Sequence, residues 1–479
     1  MESKPHAVFV AFPSQGHLNP MMQLAKLFRC KGFHITFVNT EFNHKRLIKS
    51  LGAEFVKGLS DFQFETIPDG LPESDKDATQ DVEPLCEAIQ NNCYAPFKEL
   101  VNKLNTSSLH IPITCIIADG LSSFAGKVAK DLGIQELQFW TASACGFVGH
   151  LQFDELIKRG ILPFKDENFV VDGTLETSLD WITGMKDIRL KDLPSFIRVT
   201  DLNDIMFNFQ GSGARNCLRS STIIINTFEE LEGEALETLK AENPNIYNIG
   251  PLHILGRHFP EKDHGFKASG SSLWKTDPKC ITWLNKWKPG SVLYVNYGSV
   301  TVMTNQHLNE FAWGIANSKL PFLWIMRPDT VMGEETTTLP QEFLDEVKDR
   351  GYITNWCFQD QVLVHPSVGV FLTHCGWNST LEAISSSVPT ICWPFFADQQ
   401  TNCRYLCNTW RIGLEINHDV KRNEITEILM EMMEGEKGKE IRRNCLEWKT
   451  KATKATDQGE SSYNNFHNLI KQVLHRNVI

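Results

Sequence analysis

The 479-residue sequence is too long for one hydrophobic core, so two domains are expected. It is 42% hydrophobic and 22% charged, as in an ordinary globular protein, and its formal net charge of −11 comes without any basic run. That excludes the electrostatic footprint of a nucleic-acid or anionic-membrane binder and favours a small or neutral ligand, with a local phosphate site still allowed. Thirteen cysteines are scattered without framework spacing, which reads as reduced thiols in a cytoplasmic protein; Cys403 and Cys407 share a helix face, and no CxxC occurs. No signal peptide and no membrane-spanning run is expected, because His6–Phe12 is only strand length before Pro13-Ser14-Gln15-Gly16.

In chain order, Ala7–Phe12 reads as a strand, Pro20–Cys30 as a helix and His34–Asn39 as a second strand, a βαβ opening. Ile113–Ala118 is a strand that ends at Asp119, followed by helical Ser122–Leu132. A strand near Glu136–Trp140 leads to a helical stretch from Ser143, and Gly160–Asp187 is Gly/Pro-interrupted loop. Asp204–Leu218 is helical, Thr222–Asn226 a strand and Glu229–Lys240 a helix. From Leu252 to about Thr276 the composition is that of a linker. A second α/β series follows, with strand Ser291–Tyr297 before Gly298-Ser299, amphipathic helix Gln306–Ser318 and strand Pro321–Met326. Helical segments near 399–406, 424–434, 437–451 and 461–475 close the chain. The expected domains are 1–250, a linker at 251–278, 279–455, and a C-terminal helix at 456–479 packing back on the first domain. Ligands of two such parallel sheets lie beyond the carboxyl ends of their strands, in a cleft if the domains face each other.

The stretch from Trp356 to Gln399 is the most informative. Buried strands at Val368–Leu372 and Thr390–Trp393 flank Thr373-His374-Cys375-Gly376-Trp377-Asn378-Ser379, after which a helical pattern begins. A strand, a small Gly-containing turn and a helix start make a phosphate-binding arrangement, since the first N–H groups of a helix lack intrahelical partners and its dipole favours an anion. Ser379-Thr380-Leu381-Glu382 matches a capping box, so Glu382 either caps its helix or offers its carboxylate to two ribose hydroxyls. Asn378 and Glu382, four apart, share its face.

His17, in Gln15-Gly16-His17, lies just after the first strand at the ligand-facing edge, where an imidazole can act as general base or simply hold the loop. Asp119 ends another strand on that edge; it either caps the next helix or orients a His, as carboxylates do in triads. No GxSxG nucleophile accompanies them. Gly211-Ser212-Gly213-Ala214-Arg215-Asn216 falls short of a dinucleotide fingerprint and lies in a helical pattern, and Asp75-Lys76-Asp77 reads as a solvated loop. His365 and His374 are too isolated for a zinc site, and no metal site is expected.

On these residues the sequence resembles the plant family-one UDP-sugar glycosyltransferases. The 44 residues from Trp356 to Gln399 are similar to that family's C-terminal signature box throughout: Trp356, Gln359, His365, Gly369, the His374–Ser379 run, Glu382, Pro389, Pro394, Asp398 and Gln399. Gln15-Gly16-His17, Ala118-Asp119-Gly120, Phe139-Trp140-Thr141 and Tyr297-Gly298-Ser299 extend the likeness over nearly the whole chain. Asn39–His44 and Leu193–Phe196 resemble the subgroup acting on cyanohydrins, monoterpenols, iridoids and cytokinins.

The resemblance implies a GT-B type α/β fold, two facing Rossmann-like domains with parallel sheets. It implies an inverting, metal-independent transfer of glucose from UDP-glucose to a small hydroxylated acceptor. His17 would be the base and Asp119 its orienting partner. Trp356 would stack on uracil with the Cys357 backbone at its edge, Gln359 and Glu382 would hold the ribose, and Ser299, His374, Asn378 and Ser379 the diphosphate. Trp377, Asp398, Gln399 and Thr141 would contact the sugar. Phe124, Trp140 and Phe147 are candidates for the acceptor pocket, and a monomer is expected. Two departures stand out, Phe358 where the family has Pro and Ser387 where it has Gly. The first loosens the backbone beside Trp356; the second strains its turn if φ is positive there. They keep open a binding protein with weakened catalysis, and the two α/β domains leave an NAD(P)-dependent oxidoreductase as a further alternative.

Overall fold

Apolar runs of strand length, each followed by an amphipathic helix, leave the chain one economical way to cover both faces of a sheet, which is parallel pairing with helical crossovers. The computed structural model describes residues 4–74, 78–106, 111–259, 271–332 and 337–475. Asp75-Lys76-Asp77, Ser107 of an Asn-Thr-Ser sequence and residues 260–270 of the expected linker lie outside them. The chain divides into two compact units: one runs to Leu273 and takes up the chain again from Lys454, the other is Trp274–Thr453.

The first unit holds a seven-stranded sheet of β1 (His6–Val10), β2 (His34–Thr40), β3 (Phe62–Ile67), β4 (Ile113–Asp119), β5 (Gln135–Trp140), β6 (Ile223–Ile225) and β7 (Ile246–Asn248). The strand order is β3-β2-β1-β4-β5-β6-β7. Every residue of β1 and β2 is buried, as continuous apolar strands covered on both faces must be. The sequence pattern missed β3 and β7, because Phe62-Gln63-Phe64-Glu65 alternates only briefly and Ile246-Tyr247-Asn248 is too short to carry a period. Helix ends follow local chemistry: Thr40, Ser143 and Asp204 each accept a hydrogen bond from the backbone N–H three residues on. Helix Ser461–His475 lies along β7, with Ser462 Oγ donating to Gly250 O at 2.6 Å and Asn465 Nδ2 to Asn248 O at 3.0 Å.

The second unit contains β8 (Val292–Asn296), β9 (Phe322–Ile325), β10 (Gly351–Thr354), β11 (Val368–Thr373), β12 (Thr390–Cys392) and β13 (Gly413–Glu415). Their order is β10-β9-β8-β11-β12-β13, and all pairings in both sheets are parallel. Within each sheet the direction of strand addition reverses once, between β1 and β4 and between β8 and β11. The crevice at such a reversal, outside the carboxyl ends of the strands, is where open α/β sheets hold ligands.

Two local expectations, the start of the first helix and the linker at 252–255, are corrected. The first helix begins at Gln15 rather than Pro20, so His17 stands in its first turn and Pro20 lies inside the helix. Leu252–Leu255 of the expected linker is a short helix. Gly211 and Gly213 lie inside helix Ile205–Leu218, where a Cβ on Gly213 would stand 2.9 Å from Leu121 Cδ2; these glycines serve helix packing.

Candidate active site

The first unit brings three of the expected site residues together. Val10 pairs with Ala118, so the residues following β1 and β4 emerge side by side. His17 Nδ1 lies 2.9 Å from Asp119 Oδ2, and Thr141 Oγ1, just after β5, lies 2.8 Å from the same nitrogen and 3.2 Å from Asp119 Oδ2. One proton arrangement satisfies all three: Nδ1–H donates toward the carboxylate and the hydroxyl oxygen, and the Thr141 hydroxyl donates to Asp119. The imidazole is thereby fixed in the tautomer whose Nε2 carries the lone pair, as a general base requires.

Asp119 is not a helix cap. Its Oδ1 accepts from Leu121 N at 3.0 Å, closing a turn ahead of helix Ser123–Asp131, and its side chain is 1% exposed against 24% for His17. Gly120 is required in this turn because a Cβ would stand 2.8 Å from the Trp140 ring. The Phe12 ring lies 5.0 Å from the His17 ring and 6.1 Å from that of Phe209. Of the expected acceptor-pocket residues, Phe147 is completely buried, stacked 4.2 Å from Trp140, and Phe124 packs edge-on against Phe97; all three are core side chains. Phe12, itself backed by Phe209, is an aromatic neighbour of the base that the sequence did not reveal.

In the second unit the register of Asn296 with Thr373 sets the turn after β8 beside the turn after β11. The His374 imidazole fills the space that a Cβ on Gly298 or on Gly376 would need, so both turns require glycine to close around it. Burial, aided by the nearby Arg327 guanidinium, pulls the His374 pKa down to about 4, so the ring is neutral at physiological pH. Its Nδ1 is buried without a hydrogen-bond partner among the described residues. Helix Trp377–Ser386 starts at the Gly376 cap, placing Asn378 and Ser379 in its first turn.

Gln359 organises the ribose-type end. Its Nε2 donates to Ser379 Oγ (2.9 Å) and Glu382 Oε2 (2.7 Å), and its Oε1 accepts from Asn296 Nδ2 (2.8 Å) and the Tyr294 hydroxyl (3.0 Å). The capping-box reading fails here, because Ser379 is the third residue of the helix and Glu382 bonds Gln359 instead of the cap backbone. Burial pushes the Glu382 carboxyl up to about 8, against the Gln359 hydrogen bond that lowers it. Trp356 lies against Trp274 with ring centroids 6.0 Å apart, and Cys357 is buried with its Sγ 3.4 Å from the Tyr294 hydroxyl.

Beyond β12, Asp398 Oδ2 accepts from Asn402 Nδ2 at 2.9 Å, and Gln399 Oε1 accepts from Phe395 N (2.9 Å) and Phe396 N (3.1 Å). Cys375 and Ala397, each next to an expected ligand residue, have φ of 65° and 60°. Such left-handed backbone in non-glycine residues collects at binding sites, where the surrounding packing holds it. The Trp377 ring is buried against Trp410. His365 bonds Ser367 Oγ and Asn285 Oδ1 and is structural.

Four residues that the sequence did not reveal hold this site. Asn296 and Tyr294 fix Gln359. Arg327 Nη2 donates to Thr301 O at 2.9 Å and its Nη1 to Gly298 O, fastening the Ser299 turn while Asp329 balances the charge. Asn402 Nδ2 also donates to Cys375 O at 3.0 Å. Asn296, Arg327 and Asn402 are buried polar side chains and Tyr294 is a core residue acting through its hydroxyl, so apolar periodicity does not single out their roles.

Two Rossmann-like units with parallel sheets, one carrying a His–Asp pair and the other a glycine-lined turn at a helix start, define the GT-B class of glycosyltransferase. The family model for UDP-glucuronosyl and UDP-glucosyl transferase matches residues 283–446, and that for the glycosyltransferase N-terminal domain matches 6–158. The chain is 56% identical to linamarin synthase 1 of Manihot esculenta over 99% of its length and 98% of the relative's. It is 53% identical to the (R)-mandelonitrile beta-glucosyltransferase of Prunus dulcis, with the same coverage. Among solved structures, Os79 from O. sativa in complex with UDP superposes with a TM-score of 0.80 at 25% identity, covering 98% of this chain and 100% of that one. The chain belongs to the UDP-glucuronosyl and UDP-glucosyl transferase family, and within it is similar to the plant enzymes. Among the described residues no helix is long and apolar enough to cross a membrane.

Proposed function

We propose that this protein transfers glucose from UDP-glucose to a hydroxyl of a small acceptor, with inversion to a β-O-glucoside and without a metal ion. The observation that carries the reading is the His17–Asp119–Thr141 arrangement, which leaves the imidazole basic at Nε2. His17 Nε2 takes the acceptor hydroxyl proton as the oxygen attacks the anomeric carbon and the C–O bond to UDP breaks on the opposite face. Asp119 stabilises the imidazolium that results. Trp356 stacks on uracil, with the Cys357 backbone at its edge, and Glu382 and Gln359 take the ribose hydroxyls. Ser299, Asn378, Ser379 and His374 receive the diphosphate, whose charge the helix start also favours. Asp398, Gln399, Thr141 and the Trp377 backbone contact the sugar.

With its pKa near 4, His374 acts as a neutral hydrogen-bond donor to the leaving group, not as a second titrating base. Mandelonitrile, in the name of the Prunus dulcis relative, is the first acceptor to try. The test is UDP release from UDP-glucose in the presence of EDTA, with the anomeric configuration of the product read by NMR. An α-linked product, or activity that EDTA abolishes, would refute this reading.

A further inference from the structure

Three of the thirteen thiols converge in the second unit, with a fourth beside them. The sulfur atoms of Cys375, Cys392 and Cys403 all lie within 4.8 Å of one another, and all three residues are buried. Cys407, one helical turn beyond Cys403, stands beside the group and interacts electrostatically with Cys392 and Cys403. These residues come from different elements. Cys375 lies in the turn after β11, Cys392 ends β12, Cys403 lies in helix Gln399–Arg404, and Cys407 in the π turn Tyr405–Thr409 that continues it. Cys407 is only half-buried, so the cluster has a route to solvent.

Thiolates bound tetrahedrally at about 2.3 Å from zinc stand about 3.8 Å apart, a contraction of roughly 1 Å or less for Cys375, Cys392 and Cys403, with Cys407 moving in as the fourth donor. The disulfide alternative would join two of these sulfurs and leave two unexplained. Four soft donors with no hard oxygen ligand among them select a d¹⁰ cation over magnesium or calcium.

We propose that Cys375, Cys392, Cys403 and Cys407 form a binding site for a thiophilic divalent cation of the zinc class, and that filling it weakens sugar-nucleotide binding. On binding, each thiol that becomes a ligand gives its proton to solvent and its sulfur lone pair to the metal. The link to the nucleotide is covalent and short. Cys375 is bonded to His374 on one side and Gly376 on the other, and Asn402, next to Cys403, donates both to Cys375 O and to Asp398 Oδ2. Drawing the sulfurs together therefore moves both ends of the donor site; displacements near 1 Å in such sites cost on the order of 10²-fold. This second half rests on the functional reading above; the first half does not.

The experiment uses the full chain, reduced and stripped of metal, titrated with Cd²⁺ while the ultraviolet thiolate-to-metal charge-transfer band is followed. One ion per chain with that band is expected. Cys392→Ser, which removes one of the three mutually close thiols, should weaken the band and lower Cd²⁺ affinity about 10-fold or more. Cys407→Ser, at a half-exposed position where folding is secure, should lower Cd²⁺ affinity about 10-fold or more. UDP affinity measured by calorimetry should fall about 10-fold or more in the Cd²⁺-loaded protein, recover on adding a chelator, and fall less in Cys407→Ser at the same Cd²⁺ concentration. Absence of the band in the wild type, or an unchanged band and affinity in Cys407→Ser, overturns the site. Equal UDP affinity with and without Cd²⁺ overturns the coupling. Failure of UDP to bind the metal-free chain would count against the functional reading alone, since the charge-transfer band needs no nucleotide.

Discussion

Replacing Ser387 by Gly tests the link between one unusual residue and the stability of the donor-site helix. Ser387 closes helix Trp377–Ser386 at φ 59° and ψ 36°, squarely left-handed. Its N–H donates to Ile384 O at 3.1 Å, and Val388 N–H donates to Ala383 O at 3.0 Å. That pair of bonds is a Schellman motif, whose left-handed position is ordinarily Gly. Left-handed backbone costs an L-residue about 1–2 kcal/mol, and Gly recovers that less the extra unfolded-state entropy it brings, about 0.5–1 kcal/mol. The Ser387 hydroxyl bonds only the neighbouring Ser386 O, at 2.6 Å, and gives little back. A net stabilisation of about 0.5–1 kcal/mol is expected, raising the melting temperature by about 1–4 °C for a unit of this size. Calorimetry and urea unfolding would read it, with Ser387→Ala, which keeps the strain, showing no gain. The helix has ten residues and is about 15 Å long, so Ser387 sits at the end away from His374 and Asn378. The donor KM should therefore not change. A Ser387→Gly protein no more stable than wild type, or one with an altered donor KM and unaltered stability, would refute the strain argument.

Other outcomes follow from the same geometry. Phe358 has a φ of −79°, within the range of Pro, so Phe358→Pro should stabilise by about 0.4–1 kcal/mol in urea unfolding. His17→Ala should lower kcat by about 10²–10⁴-fold with little change in UDP affinity; Asp119→Asn should also lower kcat by misplacing the Nδ1 proton. His374→Ala should cost about 10²–10³-fold in turnover without moving the pH profile between pH 5 and 8, since that ring is already neutral there. Glu382 titrates in that range. Its folded pKa, about 8, exceeds the ordinary 4.5, so its stabilising contribution is complete below pH 4.5 and is lost as pH rises through 8. Relative to Glu382→Gln, wild-type stability should fall by up to about 1.4 kcal/mol per pH unit across that window, as read by urea unfolding at several pH values. If ribose hydroxyls select the carboxylate, UDP binding at pH 7 should release a proton, which calorimetry in buffers of different ionisation enthalpy would detect.

The residue order by itself determined that two α/β series follow one another, that His17 and Asp119 end up near strand termini, and that Trp356–Gln399 carries a phosphate-type turn. These features are local: an apolar run of strand length, a helix period, a glycine turn before a helix. Local pattern could not decide what those residues touch. His17 and Asp119 are 102 positions apart and meet because β1 pairs with β4 in a register that aligns their ends. Ser379 and Glu382 look like a capping box in sequence, yet the helix begins two residues before Ser379 and both side chains turn to Gln359, held in place by Asn296 and Tyr294 from β8. Phe147 carries no mark of burial in its own segment; only the stacked Trp140 ring and the surrounding core make it inaccessible. The thiol cluster shows the same division. Sequence spacing exposes Cys403 and Cys407 as helix neighbours, whereas Cys375 and Cys392 join them only because β11 and β12 lie side by side, with Thr373 paired to Cys392. Strand order and register are set by long-range burial of whole apolar faces, so contacts that depend on them are written into the folded chain and not into any one stretch of it.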